Sequence, residues 1–150
     1  MNTGDIAPDF TLPREDGTML TLSEELAKGP VVLFFYPKAM TTGCTAESCH
    51  FRDLKTEFAA MGAGRIGISA DSVEKQRKFS DKHGFDYPLV SDTDRKIAAA
   101  FGVKRPGPLF NKRATFVIDT DRTVLAAISS ELNMDKHADE ALAVLRQRPA

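Results

Sequence analysis

Runs of apolar residues, punctuated by glycine, proline and acidic caps, divide the chain into strand-length and helix-length pieces. The longest run, Val31-Val32-Leu33-Phe34-Phe35-Tyr36, lies between Pro30 and Pro37 and has the length of a buried central strand. Ahead of it, Phe10-Thr11-Leu12 and Met19-Leu20-Thr21-Leu22 flank Asp16-Gly17, which signals a hairpin. Behind it, Phe51, Leu54 and Phe58 recur at i, i+3 and i+7, predicting one helix over 45–61 that Gly62 stops. Residues 65–70 read as a second strand. Asp71-Ser72-Val73-Glu74 has N-cap spacing and opens a helix that ends at Gly84. The next stretch is less regular: a short strand over 87–91, a short helix over 94–101 closed by Gly102, and a loop at Arg105-Pro106-Gly107-Pro108. Strands over 114–119 and 123–129 are joined by a connection short enough to make them antiparallel. A last helix over 134–148 carries the stripe Ala138, Ala141, Leu142, Leu145.

The order is hairpin, β-α-β-α, an insertion, then β-β-α. Alternation in the first half predicts parallel pairing with right-handed crossovers. The expected α/β architecture is one mixed sheet flanked by helices. That order is the one found in the thioredoxin fold, here with an N-terminal β-hairpin and a central insertion. A length of 150 residues suits a single domain over 1–150.

Composition narrows the functional classes. Twenty basic against 21 acidic side chains give a net charge of -1, which removes the electrostatic footprint of a nucleic-acid binder. No apolar stretch approaches membrane-spanning length, so no membrane partner is expected. No secretory signal is visible at the N-terminus, and the expected compartment is the cytoplasm. Two cysteines do not make a disulfide scaffold; in a reducing compartment, a close pair points to catalysis or metal binding.

Cys44 falls in the loop after the central strand, where the first long helix begins. In α/β sheets, ligands bind at the carboxyl ends of strands. A helix N-terminus adds unpaired N–H groups and the positive end of the dipole, both of which favour a thiolate. A buried cysteine acting as a small hydrophobe is the plainer alternative, but the polar neighbours and loop-to-helix position count against it.

Those neighbours, Pro37-Lys38-Ala39-Met40-Thr41-Thr42-Gly43-Cys44, fit P-x-x-x-T-x-x-C. Here the sequence resembles the peroxiredoxins, and more narrowly the PrxQ (bacterioferritin comigratory protein) subgroup. The resemblance covers nearly the whole chain. It includes Gly4-Asp5-Ile6-Ala7-Pro8-Asp9-Phe10, Phe34-Phe35-Tyr36-Pro37-Lys38, Gly43-Cys44-Thr45-Ala46-Glu47, Phe51-Arg52-Asp53 and Arg113-Ala114-Thr115-Phe116-Val117-Ile118-Asp119.

The resemblance implies a thioredoxin-dependent peroxidase in which Cys44 is the peroxidatic cysteine. Its thiolate attacks a peroxide oxygen and becomes a sulfenic acid. It implies that Thr41 aligns thiolate and peroxide, Pro37 shields the thiolate, and Arg113 stabilises both the thiolate and the developing charge. Gly43 joins Thr41, Arg113 and Cys44 around the substrate, and Glu47 holds the guanidinium. Plainer roles are available: Thr41 as a helix cap, Pro37 as a strand stop, Glu47 as an acidic residue in a first turn. Arg52 and Arg105 are rivals to Arg113. Cys49, five residues on, resembles the subgroup's resolving cysteine, giving an intramolecular Cys44–Cys49 disulfide. In a regular helix, residues five apart have Cα atoms about 8–9 Å apart and rotated by about 140°. That exceeds the ~7 Å limit for a bridge, so the helix must unwind on oxidation.

No metal, haem or flavin is implied. The implied substrates are hydrogen peroxide and alkyl hydroperoxides, the implied reductant thioredoxin or glutaredoxin, and the implied state a monomer. Many subgroup members carry acidic residues where Ala39 and Met40 stand, a proline at Thr42 and a tyrosine at Phe101; the apolar pair suggests a taste for organic hydroperoxides. The alternatives are a thioredoxin-like thiol–disulfide oxidoreductase, a metal module built on Cys44, Cys49, His50 and His83, and an inactive thioredoxin-fold binding module. The first normally spaces its cysteines C-x-x-C. The second finds no closed zinc spacing here, His137 included.

Overall fold

A computed structural model describes residues 1–107 and 109–148. In chain order the elements are β1 (Thr11–Pro13), β2 (Met19–Thr21), α1 (Leu22–Leu26), β3 (Val31–Phe35), α2 (Thr42–Asp53), α3 (Lys55–Ala60), β4 (Gly64–Ser69), α4 (Val73–His83), β5 (Leu89–Ser91), α5 (Lys96–Ala100), β6 (Ala114–Ile118), β7 (Val124–Ser129) and α6 (Met134–Gln147). β1 and β2 form their own antiparallel hairpin, and the main sheet has the order β5-β4-β3-β6-β7. β3, β4 and β5 run parallel, as the alternation of elements predicts; β6 is antiparallel to β3 and to β7, the second pairing being the one its short connection to β7 predicts. The result is the mixed α/β sheet expected.

β3 is buried on both faces, which is why its apolar run is unbroken. Its odd residues, Val31, Leu33 and Phe35, join Ile66, Ile68, Phe116 and Ile118 under α1, α5 and the N-terminal segment. Its even residues, Val32 and Phe34, and then Tyr36, face α2, α3, α4 and α6 through Phe51, Phe58, Phe79, Ala138 and Leu142. Phe34 stacks on Phe51, with ring centroids 4.2 Å apart, fixing α2 to the sheet centre. Gly67 in β4 makes room for this packing: a Cβ there would lie 2.7 Å from Leu89 and 3.0 Å from Phe34.

Three features depart from the sequence reading. The single helix expected over 45–61 starts earlier, at Thr42, and divides at Leu54 into α2 and α3. Arg65 Nη1 donates to the Phe51 carbonyl at 2.7 Å, taking an acceptor that a continuous helix would give to Lys55. Helix α1 was not expected; its Leu22 and Leu26 were too few to show a period, yet both are buried. The N-cap of α4 is Ser72, whose hydroxyl accepts from Lys75 N–H at 3.2 Å, while the neighbouring Asp71 turns to the loop before α2. Residues 105–107 lie in loop, and Pro108 falls outside the described residues. The stripe Ala138, Ala141, Leu142 and Leu145 is buried as read.

Candidate active site

The loop between β3 and α2 is held from two sides. Asp71, just past β4, accepts from the Ala39 N–H at 2.7 Å and from the Ser69 hydroxyl at 2.6 Å. Gln76, buried on α4, donates to Ser69 Oγ and to the Val90 carbonyl and accepts from Tyr36 O–H, bracing the end of β3. Met40 takes φ +70, a left-handed backbone that a side chain disfavours by about 1–3 kcal/mol. The tethers at Tyr36 and Ala39, just ahead of Met40, hold that turn in place.

Thr41 is the N-cap residue of α2, and its carbonyl accepts the first helical N–H, from Thr45. Its hydroxyl donates to the Lys38 carbonyl at 2.8 Å, leaving its lone pairs open to solvent. Cys44 follows in the first turn of α2, 1% exposed, and Pro37 is half-buried at the start of the loop.

Arg113 reaches Cys44 from the residue before β6. Its Nη2 lies 3.3 Å from Cys44 Sγ, and its Nη1 donates to Glu47 Oε1 at 2.8 Å. The planar fork therefore spans one turn of α2, sulfur on one arm and carboxyl on the other. Gly43 leaves room for the approach: a Cβ there would sit 3.3 Å from Arg113 Nη2 and 3.4 Å from Met134 Sδ, pressing the guanidinium back by a few tenths of an ångström. Burial works against the Arg113 charge, yet Glu47 and Cys44 beside it push its pKa up, so the guanidinium stays charged. Burial pushes Glu47 up to about 8, with Arg113 only partly offsetting it.

The two rivals point elsewhere. Arg52 binds the His83 carbonyl and Asp53, and Arg105 pairs with Glu131, which in turn accepts from the Arg113 N–H. The structure thus brings together Cys44, Arg113, Glu47 and Gly43, with Thr41 exposed at the N-cap of the same helix.

Cys49 is half-buried on the same helix, and both cysteines are free. Burial pushes its thiol up, against a weaker pull from Arg52. Helix α2 is unbroken from Thr42 to Asp53, so the two sulfurs stand in the geometry that excludes a direct bridge.

One partner escaped the sequence reading. His137 on α6, fully buried, places Nδ1 2.8 Å from Thr115 Oγ1 and 3.6 Å from Glu47 Oε2. Its position beside Ala138 in the apolar stripe of α6 was the available signal: a histidine there must find polar partners inside the core.

The fold and this constellation define a thiol peroxidase of the thioredoxin-fold class. The AhpC/TSA family model matches residues 3–127, and the chain belongs to that family. It is 61% identical over 149 residues to a putative peroxiredoxin of Mycobacterium tuberculosis, covering 97% of each chain. It is 38% identical to the chloroplastic peroxiredoxin Q of Gentiana triflora, covering 97% of this chain and 67% of that protein. Among solved structures, the peroxidoxin BcpB of M. tuberculosis superposes with a TM-score of 0.97 at 58% identity, covering 100% and 99% of the two chains. The bacterioferritin comigratory protein of Xanthomonas campestris superposes at 0.84 and 36% identity, covering 91% and 90%. The chain is a peroxiredoxin of the PrxQ type, a peroxidase among the oxidoreductases. Among the described residues, no helix is long and apolar enough to cross a membrane.

Proposed function

We propose that the protein reduces hydrogen peroxide and alkyl hydroperoxides through Cys44, with Cys49 as the resolving thiol. The observation that carries this reading is the buried guanidinium 3.3 Å from Cys44 Sγ at the first turn of α2. The Cys44 thiolate attacks the distal peroxide oxygen, the O–O bond breaks, and the departing alkoxide or hydroxide takes a proton to leave as alcohol or water. Arg113 and the N–H groups of the α2 terminus carry the charge that moves from sulfur to the leaving oxygen. Thr41, its hydroxyl proton committed to Lys38 and its lone pairs free, accepts the peroxide's hydrogen and orients it for in-line attack. Pro37 and Gly43 wall the sulfur and admit the guanidinium.

The product is Cys44 sulfenic acid. The first turns of α2 then unwind, Cys49 attacks the sulfenic sulfur, and water leaves as the disulfide forms. A dithiol of the thioredoxin or glutaredoxin type reduces that disulfide in the cytoplasm and regenerates both thiols. The chain acts as a single-domain monomer. The X. campestris relative has alkyl peroxide reduction activity, and the exposed apolar side chains of Met40 and Phe110 near the α2 loop suit such substrates.

The test is turnover with hydrogen peroxide and cumene hydroperoxide, coupled in turn to thioredoxin and glutaredoxin systems. Turnover with at least one reductant, abolished in Cys44→Ser and in Cys49→Ser, supports the cycle. Turnover unaffected by Cys49→Ser removes the intramolecular disulfide from it.

A further inference from the structure

Behind Cys44 the charges do not balance unless one more proton is present. Cys44, Arg113, Glu47 and His137 are buried, with exposures of 1%, 6%, 0% and 0%. A thiolate, a guanidinium and an ionised Glu47 would leave one uncompensated negative charge where water does not reach, which is costly. Glu47 Oε1 accepts from Arg113, but Glu47 Oε2 has no hydrogen-bond partner. The group facing that bare oxygen is His137 Nδ1, at 3.6 Å.

The histidine is oriented for this. Its Nε2 lies 2.8 Å from the Ser130 carbonyl, which can only accept, so Nε2 carries a hydrogen and Nδ1 is the nitrogen that titrates. Thr115 Oγ1, at 2.8 Å from Nδ1, serves either state: its hydroxyl donates to a bare Nδ1 and accepts from a protonated one. The charged and titratable groups around His137 are Glu47 from α2, Arg113 ahead of β6, Glu131 in the turn before α6, and Glu140 on α6 itself; Cys44 lies on the far arm of Arg113.

Resting on the peroxidase reading above, we propose that His137 is a positioning residue of the reaction: it shares one proton with Glu47, and so leaves the charge of Arg113 to Cys44 and the peroxide. With the proton in place, the cluster of thiolate, guanidinium and Glu47–His137 pair is neutral. When the pair loses it, the Glu47 carboxylate competes with sulfur and leaving oxygen for the same guanidinium, and peroxide attack slows. Burial sets where that proton sits at neutral pH: it pushes Glu47 up to about 8, so the carboxyl keeps the proton, and it pushes His137 down, so Nδ1 faces the carboxyl as an acceptor. Both groups act through Arg113 and neither touches the peroxide.

The experiment is the second-order rate of Cys44 oxidation by hydrogen peroxide between pH 6 and 9, in wild type, His137→Gln and Glu47→Gln. Oxidation is read by rapid alkylation and intact mass, and folding by circular dichroism. The wild-type rate falls on the alkaline side, with a midpoint near 8. His137→Gln holds the shared proton less tightly, so its midpoint moves down. A shift of about one pH unit raises the ratio of the rate at pH 6 to that at pH 8 about fivefold over wild type.

Glu47→Gln has no carboxyl to ionise, and its amide N–H can donate to Nδ1; its profile loses the alkaline fall. His137→Gln with a wild-type profile and only a lower melting temperature overturns the inference and leaves a structural histidine. An alkaline fall that persists in Glu47→Gln also overturns it, and decides the matter should His137→Gln not fold. A wild type unreactive at every pH overturns the peroxidase reading itself, and the inference with it.

Discussion

Arg113→Met removes the cation at Cys44 while keeping most of the side chain's bulk. A unit charge 3.3 Å from a charged sulfur is worth about 5 kcal/mol at an effective dielectric of ~20. Water entering the vacated space and the remaining N–H groups of α2 recover part of that. The net loss is about 3–4 kcal/mol, a rate reduced about 10²–10³-fold. Stability responds separately. Folding already raises Glu47 from its ordinary 4.5 to about 8, and losing Arg113 raises it further. A carboxyl raised in the folded state is at its most stabilising below its ordinary value and loses that contribution as pH rises. Wild type and variant lose this contribution alike as pH rises from the ordinary value of 4.5 towards 8; beyond about 8 the wild type levels off while the variant's melting temperature keeps falling.

Since the chain has no tryptophan, the assay is quenched-flow oxidation by hydrogen peroxide, with alkylation and intact mass as readout. Arg113→Lys falls in between, because one ammonium cannot span both Cys44 Sγ and Glu47 Oε1. A folded Arg113→Met protein that reacts within tenfold of wild type would refute the role assigned to the guanidinium.

The remaining predictions concern α2. On forming the Cys44–Cys49 disulfide, the first turns of α2 lose helix: backbone amide protection across 44–49 collapses while α6 keeps its own, as hydrogen exchange would show; a disulfide form with α2 intact contradicts this. Phe51→Ala removes a fully buried ring stacked on Phe34. It should cost about 3–5 kcal/mol in urea unfolding, and a loss under 1 kcal/mol would mean that α2 is not anchored there.

Much of this was legible in the chain. An apolar run of strand length between two prolines read as a buried central strand, and β3 is that strand, covered on both faces. Asp16-Gly17 marked the hairpin, and the alternation of elements gave the parallel half of the sheet. The sequence reading lost detail where tertiary contacts overrode local pattern. Phe51, Leu54 and Phe58 kept one helical period across a break made by Arg65, which lies on another element and competes for the Phe51 carbonyl. Asp71 read as a cap, but the backbone of Ala39 claimed it. At the site, Cys44, Gly43, Glu47 and Arg113 stood out through motif and spacing, and they meet in space. His137 did not, because what it touches arrives from three other segments: Glu47 on α2, Thr115 on β6 and the Ser130 carbonyl after β7. A one-dimensional pattern shows a histidine on an apolar stripe and cannot show its partners.

The central claim is that Cys44 is oxidised by peroxide and resolved by Cys49 within one chain. One equivalent of hydrogen peroxide added to wild type and to Cys49→Ser, followed by thiol counting and intact mass, tests it directly. The account predicts that wild type loses both thiols and about 2 Da within seconds, while Cys49→Ser gains about 16 Da on Cys44. Thiols that survive, or that react no faster than free cysteine, would contradict it.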